Sequence, residues 1–175
     1  MKDTQIYNKH RRIGGRNEIV EINESKIAKR KYNKGYKVEG VWVISGIQKS
    51  RLKNKIKNVN KRLFLLPIEE RNIENISEII KTYVKKGTTI YTDCWKGYND
   101  LKNIGYKHKT VNHMKHFKDP ETNVHTNTIE GTSNGLKQSM PPRNRNKKNI
   151  ILQLKEYQWR KKNKEYNIWK QFLKD

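Results

Sequence analysis

The sequence has one cysteine, Cys94, which excludes an intrachain disulfide and any zinc site built from several cysteines. No apolar run approaches the roughly 20 residues of a membrane-spanning helix, and the start, Met1-Lys2-Asp3-Thr4-Gln5, lacks the apolar core of a secretory signal. A soluble intracellular protein is expected, nuclear in a eukaryotic host and cytoplasmic in a bacterial one. Acidic residues are scarce too: 17 Asp and Glu stand against 40 Lys and Arg, giving a formal charge of +23 over 175 residues. Such a chain attracts polyanions, and DNA fits that demand better than a membrane surface. Part of the excess has a bland source, since Lys, Asn and Ile are abundant throughout, as AT-rich coding sequence imposes. The length allows one domain with a real core and hardly two.

Residues 1–17 carry His10-Arg11-Arg12 and Gly14-Gly15-Arg16 with few apolar side chains, so they read as a flexible basic arm, with the domain spanning 18–175. Alternation over Ile19 to Asn23 and a β-rich run from Val38 to Ile47 predict two antiparallel strands, with Tyr32-Asn33-Lys34-Gly35 as a turn between them. A third strand is expected over Arg62 to Ile68, ending at Pro67. Ile73, Ile76, Ile79 and Ile80 recur at helical spacing between Asn72 and Val84, and Gly87 follows as a stop. Thr88 to Thr92 reads as a buried strand, Trp95 to Lys102 as a short helix and Tyr106 to Val111 as another strand. A long amphipathic helix is expected from Lys147 to about Leu173, with Ile150, Ile151, Leu154, Tyr157 and Trp169 on one stripe. The order β-β-β-α-β-α-β, then helices, implies an α/β fold whose mixed sheet is covered by helices, as in ribonuclease H-like domains. Ligands gather at the carboxyl ends of strands in such sheets, and Asp93 follows the strand Thr88 to Thr92 directly.

Phosphodiester chemistry by two metal ions needs converging carboxylates, three as a minimal set. Asp93 at a strand end and Glu130 at a helix start supply two. Glu130 has a competing structural reading: Asn127-Thr128-Ile129-Glu130 fits a helix-opening pattern, in which the first side chain and the Glu satisfy free backbone N–H groups.

Several separated motifs resemble one family in order. They are Glu21-Ile22-Asn23-Glu24-Ser25-Lys26, Lys29 to Gly35, Val41-Trp42-Val43, Tyr91-Thr92-Asp93-Cys94-Trp95-Lys96-Gly97-Tyr98, His125-Thr126-Asn127-Thr128-Ile129-Glu130-Gly131 and Trp159-Arg160. From about Glu18 to Lys162 the chain is similar to a DDE transposase of the Merlin superfamily and its bacterial insertion-sequence relatives. The resemblance implies a ribonuclease H-like core that uses Mg²⁺ or Mn²⁺ to cut and rejoin transposon ends, with Asp93 and Glu130 as the second and third acidic residues and metal ligands. Where the family has its first catalytic Asp, this chain has Asn23. An amide brings no negative charge to a cation, so impaired catalysis with retained fold and DNA affinity is expected. Glu21 shares the face of Asn23 but lies about 6–7 Å back along the strand, and Glu24 points to the other face. Relatives commonly carry a zinc ribbon or helix-turn-helix ahead of the core; here a short basic arm precedes the match, and weak, salt-sensitive binding is expected.

Lys137 lies two helical turns after Glu130, matches the lysine that follows the family's Glu, and suits a phosphate; an ordinary solvated lysine is the alternative. Arg143 and Arg145, with Lys147 and Lys148, form a basic loop after Pro141-Pro142 suited to a phosphate backbone. His125 and Asn127 are DNA-contact candidates; His125 also suits orienting Glu130. His108, His113, His116 and His125 make a loose cluster without the cysteine pair that structural zinc normally has. Cys94 is expected to pack as a small apolar side chain, and Trp42, Trp95 and Trp159 as core or helix-packing residues. The partner is DNA, as transposon ends or non-specific duplex, and a homodimer is compatible. Two other readings stay open: a non-catalytic DNA-binding relic or domesticated module, and an RNA-binding basic protein, which would explain the charge but not the spaced acidic pair.

Overall fold

The computed structural model describes residues 12–27, 40–49, 62–112, 119–120, 122–141 and 144–163. The expected turn at Tyr32 to Gly35, His113, His116, Arg143 and Trp169 lie outside them. Five strands form one mixed sheet in the order β3-β2-β1-β4-β5. β1 (Ile19–Ile27) and β2 (Val41–Lys49) pair antiparallel, as do β2 and β3 (Leu63–Ile68). β4 (Thr89–Thr92) then enters beside β1 in parallel, and β5 (Lys107–Thr110) lies parallel to β4. Between β3 and β4 runs α1 (Ile73–Tyr83), because a parallel strand needs a crossover. Helices α2 (Asn127–Ser139) and α3 (Ile150–Lys162) complete the fold. The result is an α/β architecture compatible with the ribonuclease H-like class.

Strand alternation divides the core into two layers. Val20, Ile22, Ile44, Phe64 and Leu66 pack with Ile76 and Ile80 of α1, while Ile27, Val43 and Leu65 pack with Leu136 of α2 and Leu154 and Tyr157 of α3. Helix α1 follows from its sequence: Asn72 accepts the N–H of Asn75 at 2.9 Å, and Ile76, Ser77 and Ile80 form the buried face. At the β3 edge, Gln158 of α3 accepts the N–H of Leu65 at 3.1 Å and donates to its carbonyl at 3.4 Å, covering backbone that would otherwise be open.

Three expectations change. Pro67 does not end β3; the strand runs on through Ile68, and Pro67 pairs with Val43, which an edge strand tolerates because its outer side needs no N–H. The segment after Trp95 is a 3₁₀ helix over Lys96–Leu101, not an α-helix. The last helix is described as far as Lys162, and its expected continuation to about Leu173 lies outside the described residues. The ordered fold also reaches back before Glu18. Ile13 is 3% exposed, bridges Val84, donates its N–H to the Tyr83 carbonyl at 2.8 Å and accepts from Lys85 at 2.9 Å.

Candidate active site

The ladder between β1 and β4 is short: Ile19 pairs with Thr89, Val20 with Ile90 and Glu21 with Tyr91. Beyond Glu21, β1 continues for six residues to Ile27 with no strand paired on that side among the described residues. A cleft of about 600 Å³ is lined by Asn23, Glu24, Ser25 and Lys26 from this part of β1. Asp93 follows β4 directly, two residues beyond the last β1–β4 pair, and Asn23 lies two residues beyond that pair on β1. Glu130, in the first turn of α2, lines the same cleft as Asn23. Asp93 does not line it, although its charge reaches Glu24. Asp93 is held by its own turn: Oδ1 accepts the N–H of Trp95 at 3.0 Å, and its carbonyl accepts the Thr92 hydroxyl at 2.7 Å.

The helix-opening reading of Glu130 does not survive in its local form. The residue before α2 is Thr126, and neither it nor Asn127 caps the helix with a side chain. Instead Glu21, fully buried on β1, accepts the N–H of Ile129 through Oε2 at 2.9 Å. Its Oε1 lies 3.1 Å from Lys49 Nζ and 3.7 Å from His125 Nδ1. An ammonium can only donate, so His125 Nε2, 2.8 Å from Lys49 Nζ, accepts. Glu130 Oε1 accepts the Thr126 hydroxyl at 2.7 Å. His125 is tied to the support of α2, not to the cleft lining.

On the α2 side, Lys137 and Arg145 line the cleft with Glu130. Arg145 also closes α2, donating from Nε to the Met140 carbonyl at 3.1 Å and from Nη2 to that of Lys137 at 2.6 Å. The opposite wall holds residues that the sequence did not single out for this role: Lys26, Trp42 and Arg71. Arg71 donates from Nε and Nη2 to Glu24 Oε2 at 3.1 and 2.9 Å, while the Tyr98 hydroxyl donates to Glu24 Oε1. Burial pushes the Glu24 carboxyl up to about 7 against the pull of Arg71, and the charge of Asp93 adds to the rise. No spacing signal marks Arg71, which sits in the polar run Glu69-Glu70-Arg71-Asn72 ahead of α1.

The motif Trp95-Lys96-Gly97-Tyr98 has a packing reason. The Trp95 indole folds back over Gly97, where any Cβ would overlap the ring, and meets Tyr98 edge-on at 5.5 Å between centroids. That fold-back puts the indole face 3.9 Å from the Arg71 guanidinium. Cys94, expected to be packed, is exposed. His108 sits 2.8 Å from the Thr92 hydroxyl, and burial, with Lys102 adding to it, holds its pKa below the ordinary value.

A mixed sheet with a cleft beside the carboxyl half of β1 and a Glu-bearing helix lining it is compatible with a ribonuclease H-like fold. The chain matches the model of the ISXO2-like transposase domain over residues 12–161, and it belongs to that DDE transposase family. No curated protein and no solved structure matched it. The family generally works with divalent metal ions and its members bind DNA. This chain's own donors fit such ions poorly. An amide stands at Asn23, four cations line the cleft, and no group of three His, Cys, Asp or Glu among the described residues is arranged around a common point. No helix of the described residues is long and apolar enough to cross a membrane.

Proposed function

We infer that this transposase domain grips DNA in the cleft but is impaired in cutting and joining it, because Asn23 occupies the first acidic position. The observation that supports the reading is that Asn23 and Glu130, far apart in the chain, line one cleft, on the strand that pairs with the one Asp93 follows. Exchanging a carboxylate for an amide there removes one unit of negative charge from a site whose walls already carry Lys26, Arg71, Lys137 and Arg145. A divalent cation is then held too weakly to act, while a phosphate backbone is still attracted. Asp93, Glu130 and Asn23 form the degenerate catalytic set, and Lys137 and Arg145 face the DNA on the α2 side. The test compares the unaltered chain with Asn23→Asp for Mg²⁺- or Mn²⁺-dependent plasmid nicking. Activity only in Asn23→Asp supports the reading; equal activity in the unaltered chain, lost in Asp93→Ala, overturns it.

A non-catalytic DNA-binding module is the second reading, favoured by the coexistence of a cationic cleft with an incomplete acidic set. Failure of Asn23→Asp to recover any nicking, with DNA binding intact, would favour it.

A further inference from the structure

The Arg71 wall of the cleft is not accounted for by the catalytic set or by the basic residues around α2. Its side chain is 29% exposed, and the guanidinium carbon lies over the Trp95 ring, 3.9 Å from its centroid, and over the Trp42 ring at 5.1 Å. Two of its five N–H donors go to one oxygen of Glu24. Cation–π contact with two indoles holds the guanidinium in place without taking up its N–H donors, so less side-chain freedom remains to be lost when an oxyanion arrives. The partner is a carboxylate whose other oxygen is already satisfied by Tyr98 and which is itself costly to keep charged at this depth. A ligand oxyanion at the cleft therefore competes with Glu24 for a pre-oriented fork.

We propose that Arg71, held over Trp42 and Trp95 and restrained by Glu24, is a phosphate-binding residue that contacts the DNA backbone from the wall opposite Lys137. The inference rests on the reading of the cleft as a DNA site. Glu24 acts as a brake in this arrangement, since its carboxylate occupies donors that a phosphate would otherwise take. Gly97 belongs to the same device: it lets the Trp95 indole fold into the position from which it supports Arg71.

The test measures binding of a fluorescein-labelled 25-base-pair duplex by anisotropy over a series of salt concentrations, for the unaltered chain, Glu24→Gln and the double variant Glu24→Gln/Arg71→Gln. Releasing Arg71 in Glu24→Gln is expected to tighten binding several-fold and to steepen the plot of log K against log salt by about 0.9, the share of one extra phosphate contact. The double variant is expected to lose that gain. A gain that persists without Arg71 would be a general field effect and would overturn the proposal, as would an unchanged affinity and slope in Glu24→Gln. The double variant keeps the buried pair neutral, so it avoids stranding a buried charge. Should it still fail to fold by circular dichroism, the unaltered chain decides: DNA is expected to protect Arg71 from phenylglyoxal, read by mass spectrometry, and undiminished modification overturns the proposal. Absence of any DNA binding by the unaltered chain would sink the underlying reading of the cleft as well, whereas binding that ignores Arg71 would sink only this inference.

Discussion

Glu21 on β1 accepts the backbone N–H of Ile129 at 2.9 Å, joining positions 108 residues apart and fixing the first turn of α2 against the sheet. A helix start normally finds such a partner within its own first turn; here the central strand provides it. The consequence reaches Glu130, the next residue, whose approach to the cleft is set by the strand that also carries Asn23.

Glu21→Ala removes that acceptor and leaves Lys49 and the Ile129 N–H without their partner. A loss of about 2–4 kcal/mol is expected in urea unfolding, with Glu21→Gln losing less because its amide oxygen still accepts. Stability of Glu21→Ala within about 0.5 kcal/mol of the parent would show that the cap carries no weight.

Asn23→Asp is expected to bring measurable Mg²⁺ or Mn²⁺ binding by calorimetry, absent from the parent. In metal-free buffer the same variant should bind DNA more weakly than the parent, since a carboxylate has been added to the cleft. Tighter metal-free DNA binding would contradict the placing of this side chain beside the phosphate path.

Lys137→Ala should weaken duplex binding uniformly across sequences and flatten the dependence of log K on log salt by about 0.9. If the slope is unmoved, Lys137 is an ordinary solvated lysine.

Glu24 titrates near 7 in the folded chain against 4.5 for an ordinary glutamate, so folding is coupled to proton uptake. The stabilisation from the protonated form is complete below about 4.5 and is lost as pH rises through about 7. His108 opposes it at the acid end, because its lowered pKa disfavours the folded state as pH falls below the ordinary 6.5. The comparison of melting temperatures between the parent and Glu24→Gln isolates the first effect: relative to the variant, the parent should lose stability as pH rises from 4.5 through about 7. A pH-independent difference would remove Glu24 from the account.

Gly46 of β2 lies beneath the Phe64 ring, which is 2% exposed and stacked on Tyr83 at 5.4 Å. Any Cβ at Gly46 would overlap that ring, and the ring has nowhere to go. Gly46→Ala is therefore expected to cost about 1–3 kcal/mol in thermal or urea unfolding. A neutral substitution would mean that the ring and the strand can part at little cost.

Much of the scaffold was legible because periodicity is local. Ile73, Ile76 and Ile80 announce α1, and the β-branched run around Val41 to Ile47 announces β2. Errors fell where tertiary context overrode a local rule: Pro67 was accepted inside β3 once that strand lay at the sheet edge, and Ile13 was drawn from an apparent basic arm into the core by the bridge to Val84. Cys94 was read from the general tendency of small thiols to be buried, yet the turn that fixes Asp93 turns it outward.

The sequence by itself determined the order of strands and helices, the cationic character and the substitution at Asn23, because each is a property of single residues or of a short period. Only the tertiary structure decided that Asn23 and Glu130 line one cleft, that Glu21 rather than a neighbouring residue caps α2, and that Arg71 lies over two indoles while bonded to Glu24. Those relations join residues tens of positions apart through sheet register and side-chain burial, and neither quantity exists until the chain has closed on itself.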